Sequence, residues 1–507
     1  MDDILGSPTD SSLKESCQAL LEKLGGDLVH FPDSTQYQAS NKAYFANQLS
    51  ELHPYCIVTP RTAQEVSTIL TTVLPFFRTS DSLQPFQYCP IAIRSGGHFY
   101  VAGTSNVDNG ITIDLRALNN IELHPDQNII SLGPAAKWGD VYSTLDPLHL
   151  AVAGGRAAQV AVGGLTLGGG ISYFSPRYGW TCDSIIRAEI VLADGSVITV
   201  DEEHKPDILI ALRGGGSNFG IVTRFYMRVY SQGLIFGGTV YHPIETIQEQ
   251  LKAVSEISTE IFENGVPGGY DVNASLITSF GFAGGRGSAV VNSVVYTDTS
   301  SVKEGEEFMP EVYKSILQLP KRLSTLRVAP VHEITIEQGS FSPDGRRQLS
   351  VVTTHDTTVA MLQAAYNRWH NSLDSIRDVP GIVWSISLQP LPAIMYQGRK
   401  NAMGLSELET NKSLMIDLLS ASWDNVEDDE KVEEAARALS VAIDDDARRL
   451  DAYHPFVYPN YAAKWQDPIA SYGAEAVEKL RRVSREVDPE DVFRKIVPSG
   501  FKIPRSL

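Results

Sequence analysis

Several things are scarce in this chain of 507 residues, and each scarcity removes a class of function. There are four cysteines (Cys17, Cys56, Cys89 and Cys182), widely spaced and without a C-x-x-C pair, so neither a zinc cluster nor a thiol-exchange motif is indicated. Spaced in this way, three or four of them are expected to be buried thiols. No apolar run approaches the roughly 20 residues that span a bilayer. Basic residues cluster only as short pairs (Arg346-Arg347, Arg448-Arg449, Arg481-Arg482) in a chain of net charge −19, so neither nucleic acid nor an anionic membrane is an expected partner. The chain also has no G-x-G-x-x-G fingerprint with its distal acidic residue and no G-x-x-x-x-G-K-S/T loop. His332-Glu333 and His355-Asp356 lack further ligands at useful spacing, so no metal site is supported. The opening "MDDILGSPTDSS" is acidic and polar, unlike a signal peptide, and a cytoplasmic location is the expectation. The sequons at Asn273 and Asn411 matter only if the chain is exported.

What is present is a soluble-type composition, 43% apolar and 20% charged, at a length that suits two or more folding units. From about 54 to 232, short strands alternate with helices. "CIVTP" reads as a strand, and Thr62 with Glu65 forms a capping box ahead of an apolar helix face (Val66, Ile69, Leu70, Val73, Leu74). "IAIR" leads into glycines, "GITIDL" alternates as a half-buried strand does, and Asp194-Gly195 joins two strands in a hairpin. From about 233 the runs "SAVVNSVVYT", "RQLSVVTTH" and "GIVWSISLQPL" predict antiparallel strands, interleaved with helices over 302–318, 358–374 and 428–450. The last of these has an acidic start and a basic end, as the helix dipole favours. An α+β lobe with helices on one face of its sheet follows.

Glycines come in bursts: Gly96-Gly97, Gly163-Gly164, Gly168 to Gly170 and Gly214 to Gly216. Such bursts let backbone N–H groups crowd around an anion, so four within about 120 residues suggest a diphosphate-bearing ligand laid across several loops. Here the motifs "RSGGHFYVAGTS", "GGRAAQVAVGGLTLGGGISYFSPRYGWTCDSI", "LRGGGSNFGIVTRF", "FVYPNYAAKWQDPIASYG" and "VDPEDVFRKIVPSGFK" occur in the order of a known family. Together they resemble the berberine bridge enzyme-like oxidases of the vanillyl alcohol oxidase/p-cresol methylhydroxylase superfamily, in their fungal form.

The resemblance implies a two-lobed α+β protein. A p-cresol methylhydroxylase-type FAD-binding domain is expected over 1–232 (core 52–232), a substrate domain with a helix-covered antiparallel sheet over 233–452, and a closing segment over 453–507 that returns to the first domain. It implies that Arg94, Ser95, Gly96 and Gly97 wrap the diphosphate through backbone N–H groups and that His98 bonds covalently to the flavin. Ser105, Gly155, Gly163, Gly164, Gly168, Gly169, Gly220 and Ile221 are further expected FAD contacts. Many members carry a second flavin link through a cysteine, but Ala157 stands at that position, so a single link is expected. Cys182 belongs to another loop and reads as a packed thiol. Val160 is similar to the residue that leaves O2 room beside the flavin. Asn460 is expected at the flavin edge, Tyr461 as the catalytic base with Tyr458 in the same pocket, and Gln389 facing the substrate. A phenol that ionises near pH 10 is only about one-thousandth ionised at pH 7, so a base role calls for a nearby cation or concerted transfer. The implied activity is oxidation of a small organic substrate with O2 as acceptor, tailoring a secondary metabolite, by a monomer. A flavin-retaining cyclase and a carbohydrate oxidase are the alternatives.

Overall fold

The computed structural model describes residues 10–78, 90–259, 261–263, 266–302, 308–408, 412–497 and 500–505. Cys89 and Asn411 lie outside these residues. Among the described residues no helix is long and apolar enough to cross a membrane.

The chain begins with helix α1 (Asp10–Leu24) and a four-stranded sheet of β1 (Val29–His30), β2 (Cys56–Val58), β3 (Ile91–Arg94) and β4 (Ile111–Asp114) in the order β1-β2-β4-β3. Between β2 and β3 runs α2 (Ala63–Phe77). The Thr62/Glu65 capping box is formed, and Val66, Ile69, Leu70 and Val73 are buried with α1 against the sheet. "GITIDL" departs from its expected half-burial. All four residues of β4 are buried, because β4 is paired on both sides by the parallel strands β2 and β3 and covered on both faces. The expectation of three or four buried thiols is also corrected: Cys17 of α1 and Cys56 of β2 form a disulfide. The pairing was hidden in the sequence because the two cysteines, 39 positions apart, carry no spacing signal. Persistent disulfides belong to oxidising compartments, so this bond and the cytoplasmic expectation pull in opposite directions. Cys182 is a free, buried thiol as expected.

A second sheet is antiparallel: β5 (Ile121–His124), β6 (Ile129–Leu132), β7 (Ile185–Val191), β8 (Val197–Asp201) and β9 (Ile221–Arg228), in the order β5-β6-β9-β7-β8. The β7–β8 hairpin turns at Asp194-Gly195, where Gly195 has φ +83°.

The third sheet has eight strands: β10 (Ile235–His242), β11 (Ala274–Ala283), β12 (Gly287–Tyr296), β13 (Leu323–Ser324), β14 (Arg327–Ala329), β15 (Arg347–Asp356), β16 (Val383–Leu391) and β17 (Leu414–Trp423). Its order is β13-β10-β12-β11-β16-β17-β15, with β14 also paired to β10. Its strands alternate strictly. Leu276 and Phe280 of β11, Val290 and Val294 of β12, and Trp384, Ile386 and Leu388 of β16 point into a core with helices α3 (Ile247–Ile257), α4 (Val359–Ile376) and α5 (Asp429–Arg449). Residues between them face the opposite way, towards a cavity. The helix expected over 302–318 is not continuous. Residues 303–307 fall outside the described set, and only a 3-10 turn (Glu311–Tyr313) and one α-turn (Lys314–Leu317) follow Pro310, whose ring disfavours helix at the preceding residue.

After α5 the chain crosses from the third sheet back to the first two. Helix α6 (Ala474–Val487) buries Val477 and Leu480 in the core of the second sheet, and Val492, Phe493 and Ile496 join the core of the first. There Ile91 N–H donates to the Ile496 carbonyl at 2.8 Å.

Candidate functional site

A cavity of about 640 Å³ lies between the loops of the first two sheets and the inner face of the third. Its floor on one side is the loop after β3. Gly96 has no room for a side chain, since a Cβ would stand 2.6 Å from Cβ of Ala161, and Gly97 sits at φ +69°. These two glycines let the loop press against residues 157–164 and turn His98 into the cavity. The His98 ring stacks on Phe45 with centroids 4.0 Å apart. Its Nε2 is buried without a hydrogen-bond partner, and burial pulls the imidazole down to about 4, so the ring is neutral at ordinary pH.

Residues 162–168 form the next wall. Gly164 faces open space, and at Gly168 a Cβ would lie 2.2 Å from Asn460 Oδ1. Asn460 therefore lies directly over the Gly168 backbone. Its Nδ2 donates to the Leu165 carbonyl at 2.9 Å and to the Tyr458 hydroxyl at 3.0 Å. The Tyr458 hydroxyl also accepts from Gly170 N–H at 3.0 Å, its ring stacks near Trp180, and burial pushes its pKa upward. Tyr461 meets Tyr458 edge-on, with centroids 4.8 Å apart, as a short 3-10 turn over Pro459–Tyr461 brings both rings to the same wall.

The Tyr461 hydroxyl donates to Gln389 Oε1 at 3.1 Å and accepts from Arg156 Nη2 at 2.8 Å. Arg156 Nη2 also donates to Gln389 Oε1 at 2.5 Å. Gln389 projects from β16. Along the same face Ser387 pairs with Ser279 of β11 (2.7 Å), and Ser385 with Ser420 of β17 (2.8 Å). This patch of hydroxyls is the second side of the cavity.

The structure brings together most of the expected site: Ser95, Gly96, Gly97, His98, Ser105, Val160, Gly163, Gly164, Gly168, Gly220, Ile221, Gln389, Tyr458, Asn460 and Tyr461 all line the cavity. Three expected contacts do not. Arg94 is fully buried behind the loop, with Nη1 donating to the Ser40 carbonyl at 2.8 Å and the guanidinium 3.7 Å above the Tyr44 ring. Gly155 is a packing glycine, since a Cβ there would strike Trp138 at 2.5 Å. Gly169 serves the turn, at φ +101° with Met403 Sδ 2.9 Å from a would-be Cβ. Arg156 and the serine face had no expected role. The arginine stands inside the second motif, but only the fold supplies Gln389 and Tyr461 as its partners.

The residues present fit a flavin dinucleotide. Besides His98 Nε2, the Ser105 hydroxyl on the cavity wall is buried without a partner, and the glycine loops leave their backbone exposed to the space. Arg156 is the sole charged side chain among the described residues of the lining, so a diphosphate elsewhere in the cavity would be met by backbone N–H groups. The two histidines of the rejected metal pairs are engaged otherwise. His332 contacts Asp146 at 2.7 Å and His355 contacts Asp417 at 2.8 Å. No group of three or more metal-ligating side chains occurs among the described residues.

Comparison with known proteins agrees with this geometry. Residues 54–201 match the FAD binding domain family. FAD-dependent monooxygenase sdcF of Emericella nidulans is 34% identical over 505 residues, covering 98% of this chain and 100% of that protein. The chain is also 35% identical to Oligopeptidase PhomG' of Diaporthe leptostromiformis over 97% of its own length, but it spans only 38% of that protein. In fold it is similar to 6-hydroxy-D-nicotine oxidase of Arthrobacter nicotinovorans (TM-score 0.75, 21% identity, 94% of this chain and 97% of that one). It is also similar to a glucooligosaccharide oxidase of Acremonium strictum described for its 6-S-cysteinyl, 8α-N1-histidyl FAD (TM-score 0.73, 20% identity, 97% and 100%). The chain shares its fold with a berberine bridge enzyme-like protein of Physcomitrella patens, and it belongs to the family of FAD-dependent oxidoreductases that includes sdcF.

Proposed function

We propose that this oxidoreductase is an oxidase that tailors a small organic molecule of fungal secondary metabolism, with Tyr461 as its base and His98 as the single covalent anchor of FAD. The observation that carries the reading is the Tyr461 hydroxyl, held on the cavity wall between a guanidinium donor and an amide acceptor. Bound flavin supplies the acceptor for a hydride from the substrate and passes the electrons on to O2, giving H2O2.

The chain's own residues account for the rest. Tyr461 takes a proton at Oη from a substrate O–H, N–H or activated C–H, and the Arg156 hydrogen bond becomes an ion pair when that oxygen is ionised. Gln389 fixes the direction of Oη from the sheet side. Tyr458 is a positioning residue. Its buried hydroxyl accepts from Gly170 and Asn460, and the upward push on its pKa keeps it neutral. Neutral His98 is in the nucleophilic form that covalent attachment requires. Ala157 lines the cavity where a second anchor would stand and has no thiol to offer. Val160, also on the wall, leaves O2 room.

The name of the sdcF relative favours a second reading, in which one oxygen atom enters the product. Labelled O2 separates the two, since an oxidase places all label in peroxide and a monooxygenase places half in the product. For the base, Tyr461→Phe is expected to slow anaerobic flavin reduction by about 10²-fold or more with flavin still bound. An unchanged rate rejects the assignment.

A further inference from the structure

Four arginines are buried among the described residues: Arg94, Arg156, Arg213 and Arg347. Three of them have a carboxylate partner. Arg94 lies 3.7 Å from Asp114, Arg213 lies 3.4 Å from Glu202, and Arg347 is clasped by Glu51 and Asp429. Arg156, only 8% exposed, has none. A guanidinium has five N–H donors, yet Nη2 alone is used here, and both of its partners, Gln389 Oε1 and Tyr461 Oη, are neutral. Nε and Nη1 meet no acceptor among the described residues. No acidic side chain is among the described residues that line the cavity. A buried, uncompensated cation is expensive, and a protein that neutralises its other buried arginines leaves this one open where a ligand enters.

We propose that the substrate carries an acidic oxygen, a carboxylic acid or an acidic phenol or enol, that is ionised when bound and pairs with Arg156. The proposal rests on the reading that this cavity is the substrate pocket. Gln389 adds a second donor in the same corner, since its Nε2 also has no acceptor among the described residues while its Oε1 is shared by Arg156 and Tyr461. An oxyanion with two oxygens, or one oxygen flanked by a ring, matches the flat fork of the guanidinium. Because Nη2 already touches Oη, an acidic group on the remaining N–H groups places the neighbouring atoms of the substrate beside the base. The bond oxidised is then close to the acidic group. The rest of the molecule lies along the serine face, which carries no charge.

The test is calorimetric titration of the purified holoenzyme with 2-naphthoate and its neutral counterpart 2-naphthamide, and with 4-nitrophenol and its neutral counterpart 4-nitroanisole. Flavin content is read separately from visible absorbance. At a pH where both acids are ionised, at least one is expected to bind ten-fold or more tightly than its neutral partner, with the advantage reduced by Arg156→Gln and partly retained in Arg156→Lys. Preference confined to naphthoate assigns a carboxylic acid; preference confined to nitrophenol assigns a phenol or enol. Equal binding of acid and neutral probes, or no binding of either acid, overturns the proposal. So does an Arg156→Gln protein that keeps the full preference. Should a variant not fold, the wild-type comparison decides alone. Absence of flavin from the wild-type preparation strikes the earlier reading instead, so the two failures are distinguishable.

Discussion

Around Arg94 the protein supplies a countercharge and acceptors for both terminal nitrogens: the Asp114 carboxylate, the Ser40 and Ala43 carbonyls and the Tyr44 ring face. Around Arg156 it supplies a phenol and an amide oxygen and then stops. A carboxylate partner marks the first as scaffold, where Asp114 also holds Ser40 Oγ at 2.6 Å and Arg116 at 2.7 Å and so ties β4 to the chain preceding β2. The lack of one marks the second as site. Burial alone would not have separated them; the sign of the partners does.

Breaking each side should give unequal results. Arg94→Met leaves Asp114 with Arg116 and Ser40 but removes its second guanidinium and the donors to the Ser40 and Ala43 carbonyls, and urea unfolding is expected to show a loss of about 3–5 kcal/mol. The same scaffold contains the Cys17–Cys56 bond. Cys56→Ser is expected to lower stability by about 2–4 kcal/mol, and the denatured, unreduced wild-type chain should titrate two thiols, those of Cys89 and Cys182. Four reactive thiols would remove the bond from the scaffold. On the cavity side, His98 titrates at about 4 in the folded protein against an ordinary 6.5. Between those values the unfolded chain holds a proton that the folded chain does not, so stability falls as pH drops from about 6.5 to about 4 and levels off below. In flavin-free protein this limb is expected to be about 3 kcal/mol and absent from His98→Ala. In the holoprotein the same substitution should leave an acid-precipitated pellet colourless where the wild-type pellet is yellow. Smallest of all, Arg156→Met is expected to change unfolding free energy by within about 1 kcal/mol, since no charge is left stranded. A loss as large as that of Arg94→Met would erase the contrast.

Much of this was legible before any coordinates. The capping box of α2, the Asp194-Gly195 turn, the alternating strands of the third sheet and the helices over α4 and α5 all depend on contacts within a few residues, and such contacts leave a periodic or local mark. The glycine loops and the Tyr458–Tyr461 turn were legible as motifs. Arg156 was not, because its meaning lies in Gln389, 233 residues away, and Tyr461, 305 residues away. The direction of the Arg94 side chain was hidden for a related reason. Its backbone begins the glycine loop, but the strand pleat turns its side chain to the far face, towards Asp114. Gly155 and Gly169, expected as ligand contacts, stand where Trp138 and Met403 exclude a side chain. The burial of β4 was missed because the alternation in "GITIDL" hides that Thr112 is itself buried, its hydroxyl satisfied by Asn106 Oδ1 at 2.8 Å.

The paired serines of β11, β16 and β17 have one more consequence. Within each couple either oxygen can serve as the donor, so turning two hydroxyls reverses which polarity the surface offers at that spot. A ketone and the alcohol it derives from can therefore rest on the same patch without any backbone adjustment. Such a surface tolerates both ends of a redox couple and leaves discrimination to the corner that holds the charge.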